Sequence, residues 1–166
     1  MVDMSVPLRA FRRRYRVGAA DGSDMGARTG KAFLEGLRDD REIWLAGRRV
    51  EDVTTEPALA RAAESVAALY DLQHQEPDVL LAPDPETGET VGVTHLIPRS
   101  QADLLRRHAA IERMAWETIG LMGRSPDYLN VTLAGFAGRS DTFALNGNEE
   151  GAANLVAFHR QAMHHD

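Results

Sequence analysis

The chain has 166 residues, a formal charge of −6 and no cysteine. That length suffices for one domain with a real core, and the missing thiols exclude disulfides, thiolate metal sites and cysteine nucleophiles. The acidic balance argues against a general nucleic-acid binder; no apolar run reaches the length of a membrane span.

Residues 1–26 stand apart. Arg9, Arg12, Arg13, Arg14 and Arg16 surround Phe11 and Tyr15, and a Gly/Ala/Ser/Asp stretch from Gly18 to Ala27 reads as a flexible linker. The basic cluster suits an RNA-binding or membrane-surface arm, and an Arg-rich start is a feature of organelle transit segments. The plainer readings are a disordered extension or a true start at Met25. No apolar segment follows the arginines, so this is not a secretory signal.

From Thr29 the pattern becomes structured. Thr29 can cap a short helix carrying Phe33, Leu34 and Leu37 on one side. Ile43-Trp44-Leu45 and Arg48-Arg49-Val50 read as short strands turning at Ala46-Gly47. Thr55 or Glu56 with Pro57 opens a helix whose apolar positions include Leu59, Ala62, Ala63, Val66, Leu69 and Tyr70. Pro77 to Leu81 can form one more helical turn, Pro83 through Gly88 is turn chemistry, and Thr90 to Ile97 reads as a strand. Ser100 caps a long helix running to about Met122, with Leu104, Leu105, His108, Ile111, Met114, Ala115 and Thr118 at helical spacing. Further helices are expected from Asp127 to about Ala137 and from about Glu149 to His164.

The corner between the long helix and its successor carries the functional signal. Gly123 suits the left-handed position that closes a helix. Ser125 can cap the next one, Pro126 fits its first turn, and Asp127 complements its positive end. Arg124 and Tyr128 then flank a helix N-terminus whose free N–H groups favour an oxyanion. Together they suit a phenolate or a carboxylate; the plain alternative is an ordinary helix–helix corner.

Other chemistry is less well supported. His74, His95, His108, His159, His164 and His165 show no metal-ligand spacing; His95 is expected at a surface or half-buried strand position. Gly18 to Gly30 lacks both phosphate-binding glycine patterns. Ser125 has no nucleophile-elbow context. Trp44 and Trp116 read as core residues.

Met122-Gly123-Arg124-Ser125-Pro126-Asp127-Tyr128-Leu129-Asn130 resembles the signature of the 4-hydroxyphenylacetate 3-hydroxylase family, the large components of two-component flavin monooxygenases. Arg28-Thr29-Gly30, Val50-Glu51-Asp52-Val53-Thr54-Thr55-Glu56-Pro57, Leu69-Tyr70-Asp71-Leu72-Gln73-His74 and Leu96-Ile97-Pro98-Arg99-Ser100 resemble further blocks, in the family's order and near its spacing. The resemblance runs from Ala27 onward. It implies a mainly α fold with small β-hairpins: the N-terminal, substrate-side domain of an acyl-CoA-dehydrogenase-like flavoenzyme, spanning 27–166, with the β domain and C-terminal bundle absent.

The resemblance further implies a cytoplasmic oxidoreductase of aromatic catabolism that hydroxylates a 4-hydroxyphenyl compound ortho to its hydroxyl. Its cofactor would be reduced FAD (FADH2), supplied by a separate NAD(P)H-dependent flavin reductase, and the complete enzyme would be a homo-oligomer without nucleic-acid, membrane or metal partners. Ionising the phenol raises ring electron density; Arg124 would stabilise that charge and Tyr128 would hydrogen-bond the same oxygen. Ser125, Pro126 and Asp127 complete the substrate-binding set implied for this segment. A substrate-contacting histidine of the family falls just beyond the position matching Asp166, and most flavin contacts belong to the missing domains. The chain alone is therefore expected to be inactive. A non-catalytic binding or assembly module, or one half of a split enzyme, are the alternatives. The related 4-hydroxybutyryl-CoA dehydratases bring cluster cysteines to this corner, where Trp116 to Gly123 offers no thiol, so that chemistry is not expected.

Overall fold

The computed structural model describes residues 27–122 and 125–165, with Pro126 through its backbone. The basic cluster, the expected linker up to Gly26, Met25, Gly123, Arg124 and Asp166 lie outside the described residues.

Thr29 caps α1 (Gly30–Gly36), its hydroxyl accepting from the Ala32 N–H at 3.1 Å. This helix lies against α2 (Ala60–Gln75). The approach is close enough to require glycine: a Cβ on Gly30 would stand 2.4 Å from the Ala67 carbonyl oxygen. The Gly30 N–H donates to Asp71 Oδ1 at 2.7 Å, and His74 Nε2 donates to the Arg28 carbonyl at 3.2 Å. Phe33 stacks on Tyr70 with ring centroids 5.1 Å apart. The Arg28-Thr29-Gly30 block and the Tyr70–His74 block thus hold each other.

Strands β1 (Ile43–Leu45) and β2 (Arg48–Val50) pair antiparallel through a turn at Ala46 (φ 50°) and Gly47 (φ 78°), the positive-φ pair that matches strand twist. Trp44 is not a core residue: it sits on the outer face opposite Arg49 and is 63% exposed. Helix α2 begins at Ala60 rather than near Thr55, and Pro57 precedes its first turn. The expected cap region is committed elsewhere. Asp52 accepts from the Thr54 N–H at 2.8 Å and from Arg38 Nε at 2.9 Å, while Glu56 is paired with Arg48 at 2.6 Å.

The single-turn helix α3 (Pro77–Leu80) leads into β3 (Leu81–Pro83), which pairs with β4 (Thr90–Gly92). The strand expected to reach Ile97 stops at Gly92. Its partner residue there is Leu81, the first of β3, so the chain winds instead into a buried 3-10 turn, Val93–His95. His95 consequently lies in the interior, 2% exposed, rather than at a strand edge.

Helix α4 (Gln101–Glu117) opens with a capping box: Ser100 Oγ accepts from the Asp103 N–H at 3.2 Å, and Asp103 Oδ2 accepts from the Ser100 N–H at 2.9 Å. Its Ala110 and Met114 meet Leu69, Leu72, Leu80, Ala82 and Val93 in the main core. Burying each larger aliphatic side chain stabilises by about 1.5–3 kcal/mol. Trp116, expected in the core, lies off that face and is 75% exposed.

The helix ends well before Met122. Ile119 N–H donates to the Trp116 carbonyl and Gly120 N–H to the Ala115 carbonyl, the bond pair of a Schellman ending. Ile119 occupies the left-handed position at φ 54°, where a β-branched residue is strained.

Helix α5 (Pro126–Gly138), a second 3-10 turn (Ser140–Phe143) and α6 (Glu149–Met163) complete the described fold. Helix α6 is tied back by buried His159, whose Nε2 donates to the His95 carbonyl at 2.8 Å. His164 Nε2 lies 3.2 Å from Asp84 Oδ2 in the β3–β4 connection. Among the described residues no helix is long and apolar enough to cross a membrane.

Two substitutions should move stability in opposite directions. Gly30→Ala forces α1 off the α2 backbone and should lower the thermal midpoint, at a cost of about 1–3 kcal/mol. Ile119→Gly relieves the left-handed strain and should raise it by up to about 1 kcal/mol. Burial pushes the His159 imidazole below its usual value of 6.5. The unfolded chain therefore takes up this proton first, so the His159 contribution is complete above about pH 6.5 and declines as pH falls. Denaturant unfolding of the native chain and His159→Gln across that range should show the variant losing this part of the slope.

Candidate functional site

The corner between α4 and α5 joins a strained helix ending to a proline-started helix. Ser125 holds the N-cap position with extended backbone (φ −68°, ψ 159°), and Pro126 stands in the first turn. The Ser125 side chain makes no capping bond, contrary to its expected role; the Tyr128 N–H donates to the Ser125 carbonyl at 3.0 Å instead. Thr132 Oγ1 donates to the Tyr128 carbonyl at 2.8 Å, bracing the first turns of α5.

Consecutive positions on a helix point about 100° apart, and here that separates two of the expected site residues. Tyr128 is 53% exposed, and Leu129 beside it is exposed as well. Asp127 is 5% exposed. It lines a small chamber with Leu69, Tyr70 and Gln73 of α2, Thr94, Met114 of α4 and Asn130. Asn130 Nδ2 donates to Thr94 Oγ1 at 3.3 Å across this space. Asp127 Oδ1 is buried and has no hydrogen-bond partner among the described residues. Its position in the first turn is electrostatically favourable, since the unpaired N–H groups there carry partial positive charge.

The expected substrate-binding set therefore does not form one surface. Tyr128 belongs to an outward wall, Asp127 to an inward chamber, and Arg124 lies outside the described residues. Sequence reasoning missed the chamber. Gln73 and Asn130 fall inside the quoted blocks, but only the fold brings them to Thr94. Trp116, Ile119 and Leu121, at the α4 end of the corner, are exposed as well.

A larger open cleft of about 450 Å³ lies between α1, the Thr54-Thr55 loop and α2, with Leu34, Arg38, Glu64 and Asp71 in its lining. Arg38 and Asp71 there are already engaged by Asp52 and the Gly30 N–H, so the cleft is largely part of the scaffold. Among the described residues no group of three or more His, Asp or Glu is arranged to hold a metal ion.

Neither space suits a flavin. The chamber has room for at most about one water molecule, Arg38, Thr54 and Asp71 in the cleft are engaged in scaffold bonds, and Tyr128 is exposed. The described residues do not by themselves form a flavin site.

Oxygenase components of aromatic monooxygenases are similar to this chain in sequence and fold. The oxygenase component of 4-hydroxyphenylacetate 3-monooxygenase from a Geobacillus strain is 37% identical over 143 residues, which is 86% of this chain and 29% of that protein. The oxygenase component of 4-nitrophenol 2-monooxygenase from Rhodococcus is 44% identical over 117 residues, 68% of this chain and 22% of that protein. A 4-hydroxyphenylacetate 3-monooxygenase oxygenase component solved with FAD and 4-hydroxyphenylacetate superposes with TM-score 0.74 at 38% identity, covering 81% of this chain and 28% of that one. The chain thus spans less than a third of the length of these relatives. Residues 29–166 match the model of the 4-hydroxyphenylacetate 3-hydroxylase N-terminal domain, and the chain belongs to that family.

Proposed function

We propose that this chain is the substrate-side domain of a reduced-flavin-dependent monooxygenase that hydroxylates a 4-hydroxyphenyl compound ortho to its hydroxyl. The observation that carries this reading is the α4–α5 corner, where Tyr128 stands exposed on a proline-started helix, four positions after Arg124 in sequence, within a chain of this family. Reduced flavin, in a complete protein, supplies the oxygen chemistry. No step through it follows from the residues described here.

The chain's own contribution is binding and orientation. In this reading Arg124 pairs with the phenolate oxygen and Tyr128 hydrogen-bonds it, holding the ring in its electron-rich ionised form. Tyr128, Leu129, Trp116 and Leu121 supply one wall of the site, and their exposure favours a complete protein in which another domain closes it. Ser125 and Pro126 set the backbone that presents the two polar side chains; Asp127 acts from beneath. A separate NAD(P)H-dependent flavin reductase and assembly into a homo-oligomer belong to the same proposal.

Arg124→Ala and Tyr128→Phe in the complete enzyme should weaken phenol binding or uncouple flavin oxidation from hydroxylation. Losing one charge-assisted partner is expected to cost about 2–4 kcal/mol of transition-state stabilisation, and losing the neutral phenol hydrogen bond about 1 kcal/mol. Product formed per reduced flavin consumed measures both. Unchanged turnover and coupling in the two variants would overturn the assignment.

A further inference from the structure

The chamber beneath the corner leaves one chemical demand unmet. Asp127 Oδ1 is buried and lacks a partner among the described residues, and Asp127 is one of the residues lining the chamber. A carboxylate oxygen removed from water needs a hydrogen-bond donor, and leaving it without one is costly. The surrounding side chains supply further polar atoms from three separate elements: Gln73 from α2, Thr94 from the 3-10 turn and Asn130 from α5. The space, about 10 Å³, is too small for an organic ligand and at the lower limit for a single water, the donor that suits a small space with several polar groups.

We propose that Asp127 Oδ1 anchors one ordered water in this chamber, bridging α5 to α2 and to the Val93–His95 turn. The water donates one O–H to Asp127 Oδ1 and uses its remaining hydrogen-bonding capacity on the Gln73, Thr94 or Asn130 side chains. It completes the direct Asn130–Thr94 bond and fixes the first turn of α5 against the core. The outward wall that begins at Tyr128 then rests on a hydrated polar joint rather than on apolar packing alone. This site is independent of whether the wall binds a phenol.

Water-to-protein NMR contacts in the chain itself test the site. The Asn130 side-chain amide protons should show a contact to a long-lived water in the native chain and in Asp127→Asn, whose side-chain oxygen still accepts. Asp127→Leu should lose the contact, and exchange of the amides in the first half of α5 should rise roughly tenfold while those of α2 hold. A native chain without the water contact overturns the proposal even if the leucine variant does not fold. Retention of the contact in Asp127→Leu also overturns it, as does a crystal structure placing the Arg124 guanidinium on Asp127 Oδ1.

Discussion

The bond from His159 Nε2 to the His95 carbonyl, across 64 residues of sequence, closes the last helix onto a buried turn near the middle of the described chain. Its acceptor sits in the Val93–His95 turn, a buried segment that has left its β-hairpin and cannot be satisfied by strand pairing. The turn's polar groups must therefore find partners among the helices around it. Helix α6 supplies His159, and α5 supplies Asn130 to Thr94. Helix α4 supplies Arg107, which donates to the carbonyl of Leu96 just beyond the turn. The later helices are thus positioned by the backbone needs of one short turn as well as by apolar contact.

That arrangement separates support from chemistry. Most of the blocks shared with the family are scaffold in this structure. Gly30 permits helix contact, Asp71 and His74 hold the segment before α1, Asp52 and Glu56 tie down a loop, and Ser100 starts α4. The corner is different. It combines a strained Ile119, exposed large apolar side chains and a buried Asp127 carboxylate oxygen with no partner among the described residues. Strain and unmet polar demand at one place are features that functional sites carry and scaffolds avoid. The proposed phenol site uses the outer side of this corner and the proposed water the inner side.

Local chemistry made much of this readable in the sequence. Thr29 and Ser100 are caps in fact, the Ala46-Gly47 turn is where a two-residue hairpin needs positive φ, and the last two long helices begin and end close to their expected bounds. What could not be read depended on distant partners. Thr55 and Glu56 look like helix starters until Asp52 and Arg48 claim their neighbourhood, and residues 93–97 look like a strand until the opposite strand runs out. Trp44 and Trp116 have the composition of a core but stand on outer faces. At the site, spacing put Asp127 and Tyr128 in one set, whereas helical geometry sends them to opposite tasks. The Gln73–Thr94–Asn130 chamber had no local signal, because its members come from three elements.

The central claim is that this domain works as one wall of a larger catalytic unit, and the intact mass of the native gene product in its source cells tests it most directly. The account expects the 18.3 kDa sequence to occur within a species about three times heavier, in line with relatives of which it spans 29%, or in tight association with a second polypeptide of the missing size. A native 18.3 kDa product that hydroxylates phenols with reduced flavin and no partner would contradict it.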